Sequence, residues 1–154
     1  DLIEFYCLHP NPPNPKFADD TTERDAELLI VGKKAKESSK PVIVAGDLYD
    51  VAWSYTTKLF QKISWLLDPR IGRGFYNTFH ANIPILRFPL DHVFISKSFR
   101  LIKLERMPDI DSDHFPIYAE LSYEPGNRTE QEERDYEADK EDKKEVEEKI
   151  NQAE

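Results

Sequence analysis

Apolar and polar positions along the chain follow two periods, and the switches between them predict the elements. Ile3, Phe5, Cys7 and His9 share one face of a β-rich run over residues 2–8, which predicts a strand. The stretch His9-Pro10-Asn11-Pro12-Pro13-Asn14-Pro15 ends it, because proline has no amide hydrogen to give a ladder. Helical spacing of Ala26, Leu29, Ile30, Val31 and Ala35 predicts a helix to about Ser38, opened by the capping-box-like pair Asp20 and Glu23. The short apolar run over 41–45 ends at Gly46-Asp47 and reads as a strand buried on both faces. A stripe of Leu59, Phe60, Ile63 and Leu66 predicts a second helix over 56–67. Residues 68–90, with Arg70, Arg73, Arg87 and several aromatics, read as a long functional loop with short strands. Three further strands are predicted over 91–96, 99–106 and 115–122. Strand–helix alternation followed by closing strands gives an α/β class with a mixed sheet.

Composition changes this picture in its last fifth. The net charge is −9, which excludes a uniformly basic nucleic-acid binder. Residues 1–123 hold 17 acidic and 15 basic side chains, whereas 124–154 hold 13 and 6, so most of the charge lies in the tail. Behind the turn signal Glu124-Pro125-Gly126-Asn127, the tail has only Tyr136, Val146 and Ile150 as large apolar residues. It reads as a solvated helix or disordered segment in which Glu145 supports Lys149. The expected organisation is therefore a body over 1–123 and a charged tail over 124–154. No apolar run approaches a membrane span, and the one cysteine, Cys7, excludes an internal disulfide and a cysteine-based zinc cluster. Cys7 reads as a buried small apolar residue on the His9 face. The chain also begins at Asp1 inside an apolar alternating stretch, which reads as a cut or processed start. The compartment is not fixed by these features, and upstream targeting or membrane segments are compatible with them.

Four polar sites stand where apolar strands end: His9, Asp47, Asp91, and the triplet Ser112-Asp113-His114. Strand ends collect binding residues because the sheet fixes the backbone while loops leave side chains free. Taken in order, Val44-Ala45-Gly46-Asp47-Leu48-Tyr49-Asp50, Leu90-Asp91-His92-Val93-Phe94-Ile95-Ser96 and Ser112-Asp113-His114-Phe115-Pro116 resemble the endonuclease/exonuclease/phosphatase superfamily. The resemblance covers residues 3–122 and corresponds to the C-terminal half of that domain. It implies the C-terminal half of a four-layer α/β sandwich, with a mixed sheet and flanking helices.

The resemblance also implies chemistry, namely hydrolysis of phosphate esters by in-line attack of water with magnesium, or manganese, in the complete domain. Asp47 would orient or deprotonate the water. His114 would face the scissile phosphate with Asp91 on its other ring nitrogen, fixing the tautomer and favouring the cation. His9 would be a second phosphate-facing histidine, Asp113 would help at the metal, and Tyr49 and Arg87 would contact substrate. The implied substrate is a nucleic acid or a small phosphorylated molecule, and the near-neutral body does not favour long duplex DNA.

Two departures from the family pattern shape the expectation for this chain. Tyr49 stands where the family has Asn, and a phenol offers one donor at longer reach. The strands that would carry an upstream Asn and the metal-holding Glu have no counterpart before Asp1. The resulting expectation is a fragment that does not hold magnesium stably and is inactive alone, derived from a metal-dependent phosphoesterase. Its uncovered half-sandwich would self-associate as a homodimer. The alternative is a non-catalytic interaction module that keeps the same scaffold.

Overall fold

The computed structural model describes residues 2–12, 21–126 and 138–153. Strand β1 (Glu4–Leu8) lies parallel to β2 (Val42–Asp47), and β2 lies antiparallel to β3 (Asp91–Ile95), giving a mixed sheet of order β1-β2-β3. Strands β4 (Phe99–Arg106) and β5 (Ile117–Tyr123) pair antiparallel with each other as a separate ribbon, kinked by a register shift between Leu101 and Lys103. The helices are α1 (Thr22–Glu37), α2 (Tyr55–Ser64) and α3 (Lys140–Gln152). This is the expected mixed α/β class. Within 68–90 the expected short strands reduce to single bridges, of which Phe79 with Phe88 is one.

One face of the sheet is covered and the other is not. Leu8, Val42, Val44 and Phe94 pack against Leu28, Leu29, Leu59, Phe60 and Ile63 of α1 and α2. At Gly32 a side-chain carbon would come 2.9 Å from Ile63 Cδ1, so glycine is what lets the two helices approach. On the opposite face Phe5, Ile43, Ala45 and Val93 look across an open cleft of about 370 Å³ toward Ile117, Ala119 and Leu121 of β5. The run over 41–45 is therefore buried on one face only. Cys7 is exposed rather than buried, because it shares the uncovered face with Ile3 and Phe5. Ile30 is likewise exposed, and Asp25 and Leu28 take the inward positions on α1.

Helix starts follow side-chain chemistry where the backbone leaves amides without partners. The Ser54 side chain accepts from the Thr57 amide to open α2. A capping box between Asp139 and Asp142 opens α3. Asp20 lies outside the described residues, and the α1 N-cap, Thr21, makes no side-chain cap bond.

The tail helix is not solvated on all sides. Val146 is 2% exposed and, with Ala138, joins the main core, while Ile150 packs against it. Lys62 donates to both oxygens of Asp142 at 2.9 Å, and Lys149 bonds Asp25 of α1 at 3.1 Å rather than Glu145. Two apolar side chains four residues apart suffice, because α1 and α2 already form the groove they enter. Val146→Asp is expected to lower stability by roughly 2–4 kcal/mol, since it buries an unpaired carboxylate. Urea unfolding checks this, and an unchanged midpoint would mean that the helix contributes nothing to the core. Among the described residues no helix is long and apolar enough to cross a membrane.

Candidate active site

The Gly46-Asp47 step is dictated by the sheet. Gly46 stands opposite Leu8 in the parallel ladder with φ of 153°, and a Cβ there would lie 1.8 Å from the Leu8 carbonyl oxygen. Only glycine lets β1 and β2 stay paired to the point where Asp47 leaves the sheet. Asp47 is paired in register with Asp91, the first residue of β3, so two carboxylates are presented at the same end of the sheet. The turn before β5 brings in His114, which bridges to Phe79.

The three side chains converge. His114 Nδ1 lies 2.7 Å from Asp91 Oδ2, and His114 Nε2 lies 3.5 Å from Asp47 Oδ2. All three remain reachable, Asp47 at 12% and His114 at 23% side-chain exposure. Burial pulls the His114 imidazole down, but the Asp91 hydrogen bond and the charges of Asp91, Asp47 and Asp113 outweigh it, so the ring holds its proton above the ordinary histidine range. Burial, followed by the Asp91 charge, pushes Asp47 up, against the Tyr49 amide and the two histidines. A carboxylate that has become more basic beside an imidazolium can accept a proton from water, and the imidazolium can stabilise a phosphoryl oxygen.

Tyr49 and His9 form a second pair at the rim. The Tyr49 hydroxyl and His9 Nε2 lie 3.0 Å apart, and the rings stack at 5.5 Å. Burial and the charges of Asp47, Asp113 and Asp91 raise the Tyr49 phenol, which therefore keeps its proton and shares one hydrogen bond with the His9 ring, its direction set by the His9 tautomer. Tyr49 itself has φ of 49°, a left-handed conformation costly for a side chain of this kind. Two bonds hold it there: its amide donates to Asp47 Oδ1 at 2.9 Å, and its carbonyl accepts from Arg24 Nη1 at 2.7 Å.

The remaining two candidates stand further out. Asp113 is exposed; its backbone carbonyl accepts from the Ala81 amide, and its side chain faces solvent beside Ser112. Arg87 donates to the Ala81 carbonyl at 3.0 Å and lies over the Phe115 ring, so it braces the loop next to His114 instead of meeting the two carboxylates. Ligand-capable atoms of Asp47, Asp91 and His114 fall within 4.8 Å of one another, close enough to hold a metal ion. A hard ion prefers oxygen, so this set would offer two carboxylates, with Asp91 already bonded to His114.

Behind the site lies a buried network that the strand-end pattern does not reveal. Arg70 pairs with Asp68, both 5% exposed, and reaches the Asp91 carbonyl at 3.2 Å and His92 Nδ1 at 2.6 Å. His92 Nε2 in turn meets the Asp50 carbonyl at 2.8 Å. Because arginine cannot accept, Nδ1 must, and the proton sits on Nε2. The β3 strand start and the turn after Asp47 are thereby tied to one guanidinium. Alternation in β3 offered a signal for it: with Phe94 inward, His92 is inward too and requires a buried partner.

Comparison with known proteins bears on the family and the fold. A sequence profile described as the Endonuclease/Exonuclease/phosphatase family matches residues 1–114. No curated protein matches the chain by sequence. Among solved structures, a functionally unknown conserved protein from Enterococcus faecalis V583 superposes with a TM-score of 0.60 and 18% identity, covering 78% of this chain and 50% of its own. A mannosyl-6-phosphatase from Bacteroides thetaiotaomicron VPI-5482 gives 0.53 and 23%, covering 77% and 51%. The human Nocturnin catalytic domain with bound sulfate gives 0.55 and 16%, covering 76% and 46%. At these identities the likeness concerns the fold, and this chain spans about half the length of each.

Proposed function

Because the chain belongs to the endonuclease/exonuclease/phosphatase family, we propose that it carries the phosphate-facing half of a phosphoesterase site that hydrolyses phosphate esters by in-line attack of water. The observation that supports this reading is the Asp47–His114–Asp91 convergence. Asp47 takes the proton of the attacking water. His114 donates from Nε2 to a phosphoryl oxygen as charge builds on it, while Asp91 holds Nδ1–H and fixes the ring. The stacked pair of His9 and Tyr49 lines the rim where a second phosphoryl oxygen would lie, and Arg87 steadies the adjoining loop. Asp113 on the neighbouring turn, with Asp91, would help to hold a magnesium or manganese ion, which when bound neutralises charge on the phosphate oxygens and leaves Asp47 to the water.

On this reading residues 1–123 are the C-terminal half of the domain and 124–154 an appended segment. The exposed Ile3, Phe5 and Cys7 are then the face that the rest of the domain, or a second copy of the chain, covers. A second reading, a non-catalytic module on the same scaffold, draws on one observation: the Tyr49 hydroxyl already occupies His9 Nε2. Tyr49→Asn separates the two. In a divalent-ion-dependent assay with bis(p-nitrophenyl) phosphate and p-nitrophenyl phosphate, run on this chain and on one extended at its N-terminus, the proposal expects hydrolysis in the extended chain. It also expects Tyr49→Asn to raise that rate about tenfold or more, restoring one transition-state donor. No hydrolysis in any of the four proteins favours the interaction module.

A further inference from the structure

We propose that the C-terminal helix α3 is a positioning element for the candidate site, acting through a relay from Lys149 to the buried Asp25 to Arg24 to the Tyr49 carbonyl. The inference rests on the reading of Asp47 and His114 given above, and it concerns a helix that lies outside the matched residues 1–114.

The relay begins at a carboxylate with no freedom left. Asp25 is 3% exposed, and its Oδ2 accepts from Lys149 Nζ at 3.1 Å, Thr56 Oγ1 at 2.8 Å and Thr21 Oγ1 at 3.3 Å. Its Oδ1 accepts from Arg24 Nε at 3.1 Å and Nη2 at 2.7 Å. Burial pushes this carboxyl up, yet the Arg24, Thr56 and Lys149 bonds outweigh it and hold it ionised. A guanidinium is planar, so gripping the Nε–Nη2 edge fixes where Nη1 points. Nη1 points at the Tyr49 carbonyl, 2.7 Å away. The same guanidinium lies 3.9 Å from Asp50 Oδ1, on the far side of the same turn.

The receiving end is the part of the site least able to hold itself. Tyr49 sits in the left-handed region, and its amide donates to Asp47 Oδ1 while its hydroxyl is the hydrogen-bond partner of His9. Turning the peptide away from that conformation removes both contacts at once. Lys149 is the charged donor on the Oδ2 side of Asp25; without it the Thr56 and Thr21 hydroxyls alone remain there, the two-pronged grip on Arg24 loosens, and the Tyr49 carbonyl is held less firmly. Docking of α3 thus sets the shape of the turn that carries Asp47. The apolar contacts of Val146 and Ile150 hold the helix on α1 and α2, and Lys149 turns that docking into a constraint on the site.

The test compares Lys149→Met with Lys33→Met in the 154-residue chain. Lys33 makes an exposed ion pair with Glu147 of α3 and takes no part in the relay. The readouts are the ¹H–¹³C signals of His9 and His114 by NMR, with the urea midpoint as a check on docking. Hydrolysis of bis(p-nitrophenyl) phosphate is measured in parallel. Lys149→Met is expected to displace the His9 and His114 signals, because the turn that holds the Tyr49 amide on Asp47 and the Tyr49 hydroxyl on His9 loses the fixed partner of its carbonyl. Where hydrolysis is measurable, kcat should fall about three- to tenfold with KM little changed. Lys149→Arg should restore both, Arg24→Gln should reproduce the displacement, and Lys33→Met should do neither. Unchanged histidine signals in Lys149→Met at an unchanged urea midpoint would overturn the relay. Equal displacement by Lys33→Met would also overturn it, since loosening of the helix would then explain everything. Displaced histidine signals in a chain that hydrolyses nothing would leave the relay standing and remove the phosphoesterase reading instead.

Discussion

His114→Ala is expected to lower kcat/KM for a phosphodiester by about 10³-fold in any form of the protein that turns it over, with the fold intact. The expected size follows from position: the ring is a cationic donor 3.5 Å from Asp47, and about 4 kcal/mol of barrier corresponds to that factor. Asp91→Asn should cost less and change the pH profile. The carboxylate at 2.7 Å raises the imidazole above its ordinary value and locks Nδ1–H toward itself. Without that charge the cation is lost at lower pH, so the alkaline limb of the rate profile should move toward neutrality while the maximal rate falls only modestly. The ring is only about a quarter exposed, so salt should not erase the difference. A His114→Ala rate within threefold of the unaltered protein would sink the role given to this residue.

How much of this could be read from the chain alone depends on which residues carried a local signal. The α2 stripe of Leu59, Phe60 and Ile63 was legible because period and burial agree there, and the strand over 99–106 was legible in its bounds although its alternation slips after Leu101. The ordered Gly-Asp, Asp-led strand and Ser-Asp-His triplet were legible as a set, and the fold brings Asp47, Asp91 and His114 to one sheet end. The burial of α3 was not, because its apolar content is too low to predict a docked face; the groove that accepts Val146 exists only once α1 and α2 have met. The exposure of Cys7 and Phe5 was hidden for the converse reason, since strand alternation says which residues share a face but not whether anything covers it. Arg24 and Asp25 did carry a faint mark. Asp25, Leu28, Leu29 and Gly32 lie on one helical stripe, so an acid stands among inward positions and requires partners.

The second large effect concerns stability, and it should appear as an acid limb between about pH 6.5 and pH 4. His92 is 1% exposed and its pKa is pushed down to about 4, first by burial and then by the Arg70 guanidinium at 2.6 Å. The folded state keeps this ring neutral, with Nδ1 accepting from Arg70 and Nε2–H donating to the Asp50 carbonyl. In the unfolded chain the same ring takes up a proton near its ordinary 6.5, so the unfolded state binds more protons throughout that window. Stability is therefore full above pH 6.5 and falls as the pH drops toward 4, by about 3 kcal/mol from this one group. His114 acts in the opposite sense: its raised value adds stability that is present below pH 6.5 and lost as the pH rises through its folded value, so it cannot produce the acid limb. Urea unfolding measured at half-unit pH steps checks the slope, and His92→Asn should flatten it while lowering stability at neutral pH. Arg70→Met should cost about 3–5 kcal/mol at neutral pH, because Asp68 is left charged and buried with its partner gone. That is a large part of the total stability of a domain this size. Asp68→Leu added to Arg70→Met should return much of the loss, since the stranded charge, not the missing attraction, is the main cost. If the single and double variants unfold at the same urea concentration, the stranded charge is not the main cost, and the lost Arg70 bonds to Asp68, Asp91 and His92 are.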